Sequence, residues 1–317
     1  MTQIVQNRAN ASAPKPSSWK FGGLKPYDMG KKLWNDFNDD EVTTRAASLA
    51  YYFLLAVFPA LLFLLSMLGY FAAVGTHLRQ NLFSMLASAL PASAGELVQK
   101  TIDEIVKATG AGKAIFGVLG ALWAASSGIG AIMQCLNVAY DVEETRPWWK
   151  KPIISVGLTI GLSVLIISAL TLVLYGGHLA QVVAAHVGFG NVFITAWKFV
   201  QWPIALAFMF LAFGMVYYFA PNVKQPEWHW VTPGSALGVI VWLLASFGLR
   251  IYLHYFNSYS KSYGSLGAVI ILLVWLYLTG IAIMLGGEFN SVIAHEGAIV
   301  EGGEKPHKLR ESHPQAA

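Results

Sequence analysis

The chain has 317 residues, of which 56% are apolar and only 12% charged, with a net charge of +4. Soluble domains carry about 25% charged residues, so this composition excludes an ordinary water-soluble protein and calls for a chain that crosses a bilayer several times. The single cysteine, Cys135, excludes an intramolecular disulfide, and no cysteine–histidine set has the spacing of a zinc site.

Residues 1–26 are polar, hold Pro14, Pro16, Ser17 and Ser18, and read as a disordered cytoplasmic tail without a signal-peptide core. In residues 27–42, Met29, Leu33, Trp34 and Phe37 share one helical face beside Lys31 and Lys32. This predicts an amphipathic helix on the cytoplasmic headgroups. The transmembrane domain then runs over 43–295. A span needs about 20 mostly apolar residues, and six such stretches fall near 46–72, 114–136, 153–176, 198–220, 233–255 and 265–288. In lipid each backbone N–H and C=O must be paired internally, so these are helices. Residues 178–194 read as an outer connection, with His178 and His186 as loop or interface residues. Residues 296–317 form a C-terminal tail.

Between the first two spans lies SAGELVQKTIDEIVKA, with Ser93 and Glu96 at capping-box spacing and Val98, Ile102, Ile105 and Val106 on one face. It predicts an amphipathic helical cap outside the membrane. Pro59 sits inside the first span and marks a candidate helix break, by removal of one backbone hydrogen bond; a fixed kink is the commoner outcome, a gate the rarer. Pro203 stands similarly in the fourth span. Small-residue pairs, Gly157 with Gly161 and Gly234 with Gly238, permit close helix approach. The segment GVLGALWAASSGIGA, small on nearly every face, predicts a central second span. Thr232 and Pro233 make a helix start.

Six spans place both termini on one side. That side carries 14 lysines and arginines and the other seven, so both termini are expected in the cytoplasm. Polar side chains then gather in the cytoplasmic leaflet: Arg45, Asn137, Tyr140, Glu143, Arg146, Asn222, Glu288 and Asn290, with Asp141 and Glu144 beside them. Glu288 follows 26 residues without a charge. If the helix continues past it, the carboxylate lies within the leaflet, where an unpaired charge is costly and a paired one is often functional. Arg45 is its expected partner, in an ion pair or a shared polar cavity; the competing reading is a solvated glutamate at headgroup level. Arg250, near the outer end of the fifth span, is expected to snorkel.

Four ordered motifs carry a resemblance: RAASLAYYFLLAVFPALL (45–62), LNVAYDVEETRPWWKK (136–151), YYFAPNVKQPEWHWVTPGSALG (217–238) and YGSLGAVIILLVWLYLTGIAIMLGGEFN (263–290). On them the chain resembles the YihY/virulence factor BrkB family of bacterial inner-membrane proteins, over about residues 27–295. The resemblance implies six transmembrane helices, cytoplasmic termini and a bacterial inner (plasma) membrane location. Its last motif departs from the family ending only in Phe289, where leucine is usual.

Family members have been labelled ribonuclease BN. The residues argue against an enzyme: no histidine–aspartate metal cluster, no basic, aromatic-interleaved RNA surface, and no nucleophile–base pair or phosphate cradle. No catalytic, cofactor or metal site is therefore expected, and no nucleic-acid partner. The expected activity is a transporter or lipid/amphiphile-translocating protein of the cell envelope, with membrane lipids as partners. The few midplane charges disfavour an ion- or proton-coupled pump. The alternative is a non-transporting scaffold or envelope-assembly factor, as a homo-oligomer or with an envelope protein partner. A membrane-bound nuclease ranks last.

Overall fold

A computed structural model describes residues 24–71, 111–187, 190–223, 231–255 and 258–300. Among them the chain forms seven α-helices and no strand. The first, α1 (Pro26–Asp39), begins with proline at N1, where its missing N–H costs nothing, and carries Asp28 in the first turn, complementing the helix dipole. Glu41 then takes a left-handed conformation (φ 49°), and α2 (Val42–Phe71) starts at once. The others are α3 (Ala111–Ala139), α4 (Lys150–Val187), α5 (Gly190–Phe219), α6 (Pro233–Tyr255) and α7 (Ser258–Val300).

Five helical stretches are long and apolar enough to cross a membrane: Leu119–Ala139, Lys150–Val173, Thr195–Phe219, Pro233–Tyr255 and Val269–Glu296. They coincide with the second to sixth expected spans. The first expected span lies in α2, whose described apolar portion is the shorter Val42–Val57. Large apolar side chains stand exposed on these helices, among them Leu119, Trp123, Phe199, Leu244 and Phe247. Water-soluble surfaces rarely tolerate such continuous apolar faces; a bilayer solvates them. Trp148 and Trp149, at the α3–α4 turn, are exposed at the place where aromatic residues mark a membrane interface.

The order of contact is α2 on α3, α3 on α4, α4 on α5, α5 on α6 and α6 on α7; α7 returns to pack on α2 and α3. The small-residue helix α3 thus has neighbours on several sides, as its sequence predicts. Gly128 shows why small residues are needed: a Cβ there would meet Ala56 and Phe53 of α2. The main core lies between these helices toward the end that carries α1, with Leu49, Met133, Leu136, Tyr217 and Met284 all nearly inaccessible.

Three expectations change. α4 runs on to Val187, so residues 178–187 are helical rather than part of a loose connection; HLAQVVAAHV contains no glycine or proline to stop a helix, and the GFG that follows does. Pro59 does not break α2, which continues to Phe71, and Pro203 likewise lies inside an unbroken α5. A proline frees one backbone carbonyl, and membrane helices tolerate this because neighbouring helices, hydroxyl side chains or local adjustment of the turn re-satisfy it. Of the two glycine pairs, Gly234 and Gly238 both sit at close helix contacts, while Gly157 faces open space and only Gly161 meets a neighbour, Met215. The outer cap over 93–108, residues 1–23 and 301–317 of the tails, and the side chains of His178 and His186 lie outside the described residues.

Candidate functional site

The polar residues expected together in one leaflet stand at one end of the bundle, the end that carries α1. They form two networks and one isolated carboxyl.

The first network joins the ends of α3 and α5. Helix α3 closes with Asp141 in the left-handed region (φ 52°) and with Val142 N donating to Asn137 O at 2.8 Å. That turn sends the chain back so that Glu144 faces Asn137. Asn137 is buried, and its Nδ2 donates to Glu144 Oε2 at 3.0 Å while its Oδ1 accepts from the Asn222 N–H at 2.7 Å. Arg146 grips Glu144 twice, Nε to Oε1 at 2.7 Å and Nη2 to Oε2 at 2.8 Å, and its backbone N–H donates to Oε1 at 3.1 Å. The remaining guanidinium capacity goes to the last carbonyls of α5, Nη2 to Ala220 O at 2.9 Å and Nη1 to Phe219 O at 3.4 Å. Asn222 Nδ2 completes the clasp on Glu143 O and Thr145 Oγ1.

Burial alone would raise the Glu144 carboxyl, but the hydrogen bonds from Arg146 and Asn137 outweigh it and bring the pKa down to about 2. Every oxygen lone pair of this carboxylate is engaged. It is a fixed counter-charge that ties two helix ends together. Glu143 enters only through its backbone carbonyl; its side chain is exposed.

The second network joins α6 to α7. Thr232 caps α6, accepting from Ser235 N at 3.0 Å, while Ser235 Oγ accepts from Thr232 N at 2.9 Å. Asn290 bridges across, Oδ1 accepting from Gly234 N at 2.8 Å and Nδ2 donating to Thr232 Oγ1 at 3.1 Å. Gly234 and Gly286 lie so close that a Cβ on either would overlap the other's carbonyl oxygen. Tyr217 of α5 reaches into the same junction and donates to Ile283 O at 3.0 Å. Tyr140 hydrogen-bonds Asn290.

Between the networks lies Glu288. Helix α7 does continue past it, to Val300, and the side chain is 1% exposed. Flanking glycines make this burial possible: Gly287 packs on Leu136 and Ala139 of α3 without a side chain. The expected partner is elsewhere. No ion pair joins Arg45 to Glu288; the Arg45 Nε donates to the backbone carbonyl of Asp40 at 2.8 Å. Glu288 instead meets the Asp40 side chain, with Asp36 and Asp141 nearby, and its Oε1 accepts no hydrogen bond.

Asp36 and Asp40 were not among the residues the sequence singled out, because a run of aspartates after an amphipathic helix reads as a solvated end. Arg250 is exposed near the far end of α6. Among the described residues no group of three or more His, Cys, Asp and Glu side chains is placed to hold a metal ion.

A groove of 270 Å³ opens between α3 and α4 near the same end. Ser126, Ser127, Ser155 and Gln134 give it polar walls, and Trp123, Met133, Lys151 and Glu144 also line it. The hydroxyls of Ser126 and Ser127 donate to carbonyls of their own helix, each at 2.7 Å, and Ser155 donates to Met133 Sδ at 3.2 Å. Oxygen lone pairs therefore remain available to a ligand in the groove.

The family model for virulence factor BrkB matches residues 33–311. The ribonuclease-like protein YfkH of Bacillus subtilis is 34% identical over 263 residues, covering 83% of this chain and 94% of its own. A UPF0761 membrane protein of Vibrio parahaemolyticus is 30% identical, with 89% and 87% covered, and one of Aeromonas salmonicida is 28% identical, with 82% and 87% covered. No solved structure matches the chain.

Proposed function

The chain belongs to the virulence factor BrkB family of membrane proteins, and from that premise we propose that it translocates a lipid or another amphiphile across a bacterial inner membrane. The observation that carries this reading is the groove between α3 and α4. At 270 Å³ it is slightly below the ~300–1,000 Å³ of pockets that enclose a whole ligand. It suits a polar headgroup whose apolar chains stay outside, against exposed Leu119, Ile153 and Ile160. Serine and glutamine walls meet the headgroup, and Lys151, 3.9 Å from the Glu144 carboxylate, is the basic group beside them.

The reading has six crossings, with α2 as the first, and both termini in the cytoplasm. The distribution of lysine and arginine supports that direction. It assigns no catalysis. One relative bears a ribonuclease-like name, but the Glu144 carboxylate of the conspicuous acidic motif is fully engaged by Arg146 and Asn137, which leaves it no capacity to act as a base.

The test is movement of fluorescent phospholipids in vesicles that hold the purified protein. Ser126→Leu and Ser155→Leu, which fill the groove, are expected to abolish movement in a protein that remains folded. Undiminished movement in both variants sinks the groove as the path. Absence of movement in the folded wild type, across zwitterionic and anionic lipids, sinks translocation and leaves the scaffold.

A further inference from the structure

We infer that α1 binds the phospholipid surface of the membrane that the bundle crosses, through a side formed by Tyr27, Lys31 and Trp34 that the bundle leaves uncovered. This contact depends neither on the translocated ligand nor on the groove between α3 and α4.

The sequence of α1 offers Met29, Leu33, Trp34 and Phe37 as one apolar face, but the structure divides it. Met29 is buried against Val292 and Ile293 of α7, with Phe289 beside them. Trp34 is 65% exposed and Tyr27 80%. At ~3.6 residues per turn, Tyr27, Lys31 and Trp34 fall on the side of α1 opposite Met29, and Gly30 falls on one flank of that side. Asp28 and Asp39 fall on the other flank, and both are exposed. Helix α1 therefore has three sides: one held by α7, one aromatic with a lysine, and one acidic. Segregation of aromatic from acidic residues on an exposed helix is the pattern of an element that lies between lipid and water.

The position of α1 decides what the aromatic side meets. Its contacts on α7, namely Phe289, Val292, Ile293 and Glu296, follow one another at i, i+3, i+4 and i+7 and so run along one side of α7. All four belong to the stretch Val269–Glu296, which is apolar enough to cross a membrane. Helix α1 thus stands beside the end of a span, at the level where hydrocarbon gives way to headgroups. Tryptophan and tyrosine are enriched at that level, with their rings in the apolar boundary and their polar tips toward water. The Trp34 ring is held in place by Phe37, stacked on it at 5.8 Å between centroids with the planes 8° apart. Lys32 is spent on Glu296, whereas Lys31 has no ion pair among the described residues. Its ammonium is the charge that a lipid phosphate would meet. A second cluster of this kind stands at the same end of the bundle, where Trp148 and Trp149 are exposed and Lys150 Nζ lies 5.6 Å from the centre of the Trp149 ring.

Full-length protein in vesicles of phosphatidylcholine and phosphatidylglycerol tests this, with one fluorophore on a single cysteine in a Cys135→Ser background. Gly30→Cys puts the label beside the aromatic side, where a side chain meets open space. Asp28→Cys puts it on the acidic flank. A lipid with a nitroxide near its headgroup quenches from the membrane, and iodide quenches from water. The lipid is expected to quench the Gly30 label severalfold more strongly than the Asp28 label, with iodide giving the reverse order. The triple variant Tyr27→Ser/Lys31→Glu/Trp34→Ser, which removes no buried side chain, is expected to abolish the difference. Equal quenching of the two labels by the lipid, or a Gly30 label that answers to iodide alone, overturns the proposal and leaves the aromatic side to a water-soluble partner. A difference that survives the triple variant overturns it too, because α7 alone would then be holding α1 near the lipid. The two single labels decide the matter without the triple variant if that variant fails to fold.

Discussion

Replacing Glu144 by glutamine perturbs the α3–α5 clasp at its centre while keeping its shape. The carboxylate accepts four hydrogen bonds, two on each oxygen. A glutamine amide has one accepting end. Whichever way it lies, its NH₂ faces two donors, either the backbone N–H and Nε of Arg146, or the Nη2 of Arg146 and the Nδ2 of Asn137. The magnitude can be worked from the carboxyl itself. Its pKa falls from 4.5 to about 2 in the folded protein, and at ~1.4 kcal/mol per unit this is about 3 kcal/mol of stabilisation. The group is 17% exposed, so solvent screening takes little of it. Loss of one partner of a buried ion pair costs ~3–5 kcal/mol by a separate route, since it strands the other charge.

The assay is reversible unfolding in mixed micelles, followed by tryptophan fluorescence. The sign of the pH dependence is fixed by the depressed pKa. The contribution is complete above the unfolded value and is lost as pH falls through the folded one. The gap between wild type and Glu144→Gln is thus expected to hold from neutral pH to about 5 and to close toward pH 2. The double variant Glu144→Gln/Arg146→Gln is expected to lose less than the sum of its parts. A gap within ~0.5 kcal/mol at neutral pH, the range of an ordinary surface substitution, refutes the clasp.

Three further substitutions probe the helix junctions. Gly286→Ala places a methyl group against the Gly234 carbonyl and the Tyr217 hydroxyl, and the loss should reach ~1–3 kcal/mol or exceed it, because backbone on both sides resists displacement; unfolding in micelles reads it, and a neutral result would mean the α6–α7 contact is looser than described. Tyr217→Phe removes the donor to Ile283 O with the ring still packed edge-on against Phe213, and should cost ~0.5–1.5 kcal/mol, the net worth of one such bond. Lys32→Ala breaks the exposed pair with Glu296 and should cost under ~1 kcal/mol and less at high salt; a larger, salt-independent loss would show that the pair is less screened than its exposure implies.

Five of the six spans were legible because one physical demand dominates them. An apolar run in lipid has only the helix as a solution, so α6 was placed from Pro233 to Tyr255 by Thr232, Pro233 and hydropathy alone. The end of α4 was not legible, because histidine and glutamine among apolar residues lower hydropathy without stopping a helix. Sequence also assembled most of the polar end. Asn137, Arg146 and Asn222 do meet, and so do Tyr140 and Asn290. It failed on the partner of Glu288. Opposite charge made Arg45 the natural choice, but partner choice depends on how the chain turns at Glu41 between α1 and α2. A left-handed residue that is not glycine leaves little trace in a sequence. That turn brings Asp40, rather than the Arg45 guanidinium, to the carboxyl.

The position of Glu288 follows from a sequence of small necessities. Gly286 and Gly287 remove side chains so that α6, α5 and α3 can close on one turn of α7. Closing that turn leaves the next residue no route to solvent, and that residue is ionisable. Leucine in its place would satisfy packing, and glutamine would satisfy hydrogen bonding. Helix α7 has 43 residues, about 65 Å at 1.5 Å per residue, against a hydrocarbon layer of about 30 Å. It therefore extends beyond the bilayer, and α1 docks on its final turns. Past Glu288, Asn290 still holds the start of α6, and Val292 and Ile293 pack against Met29 of α1.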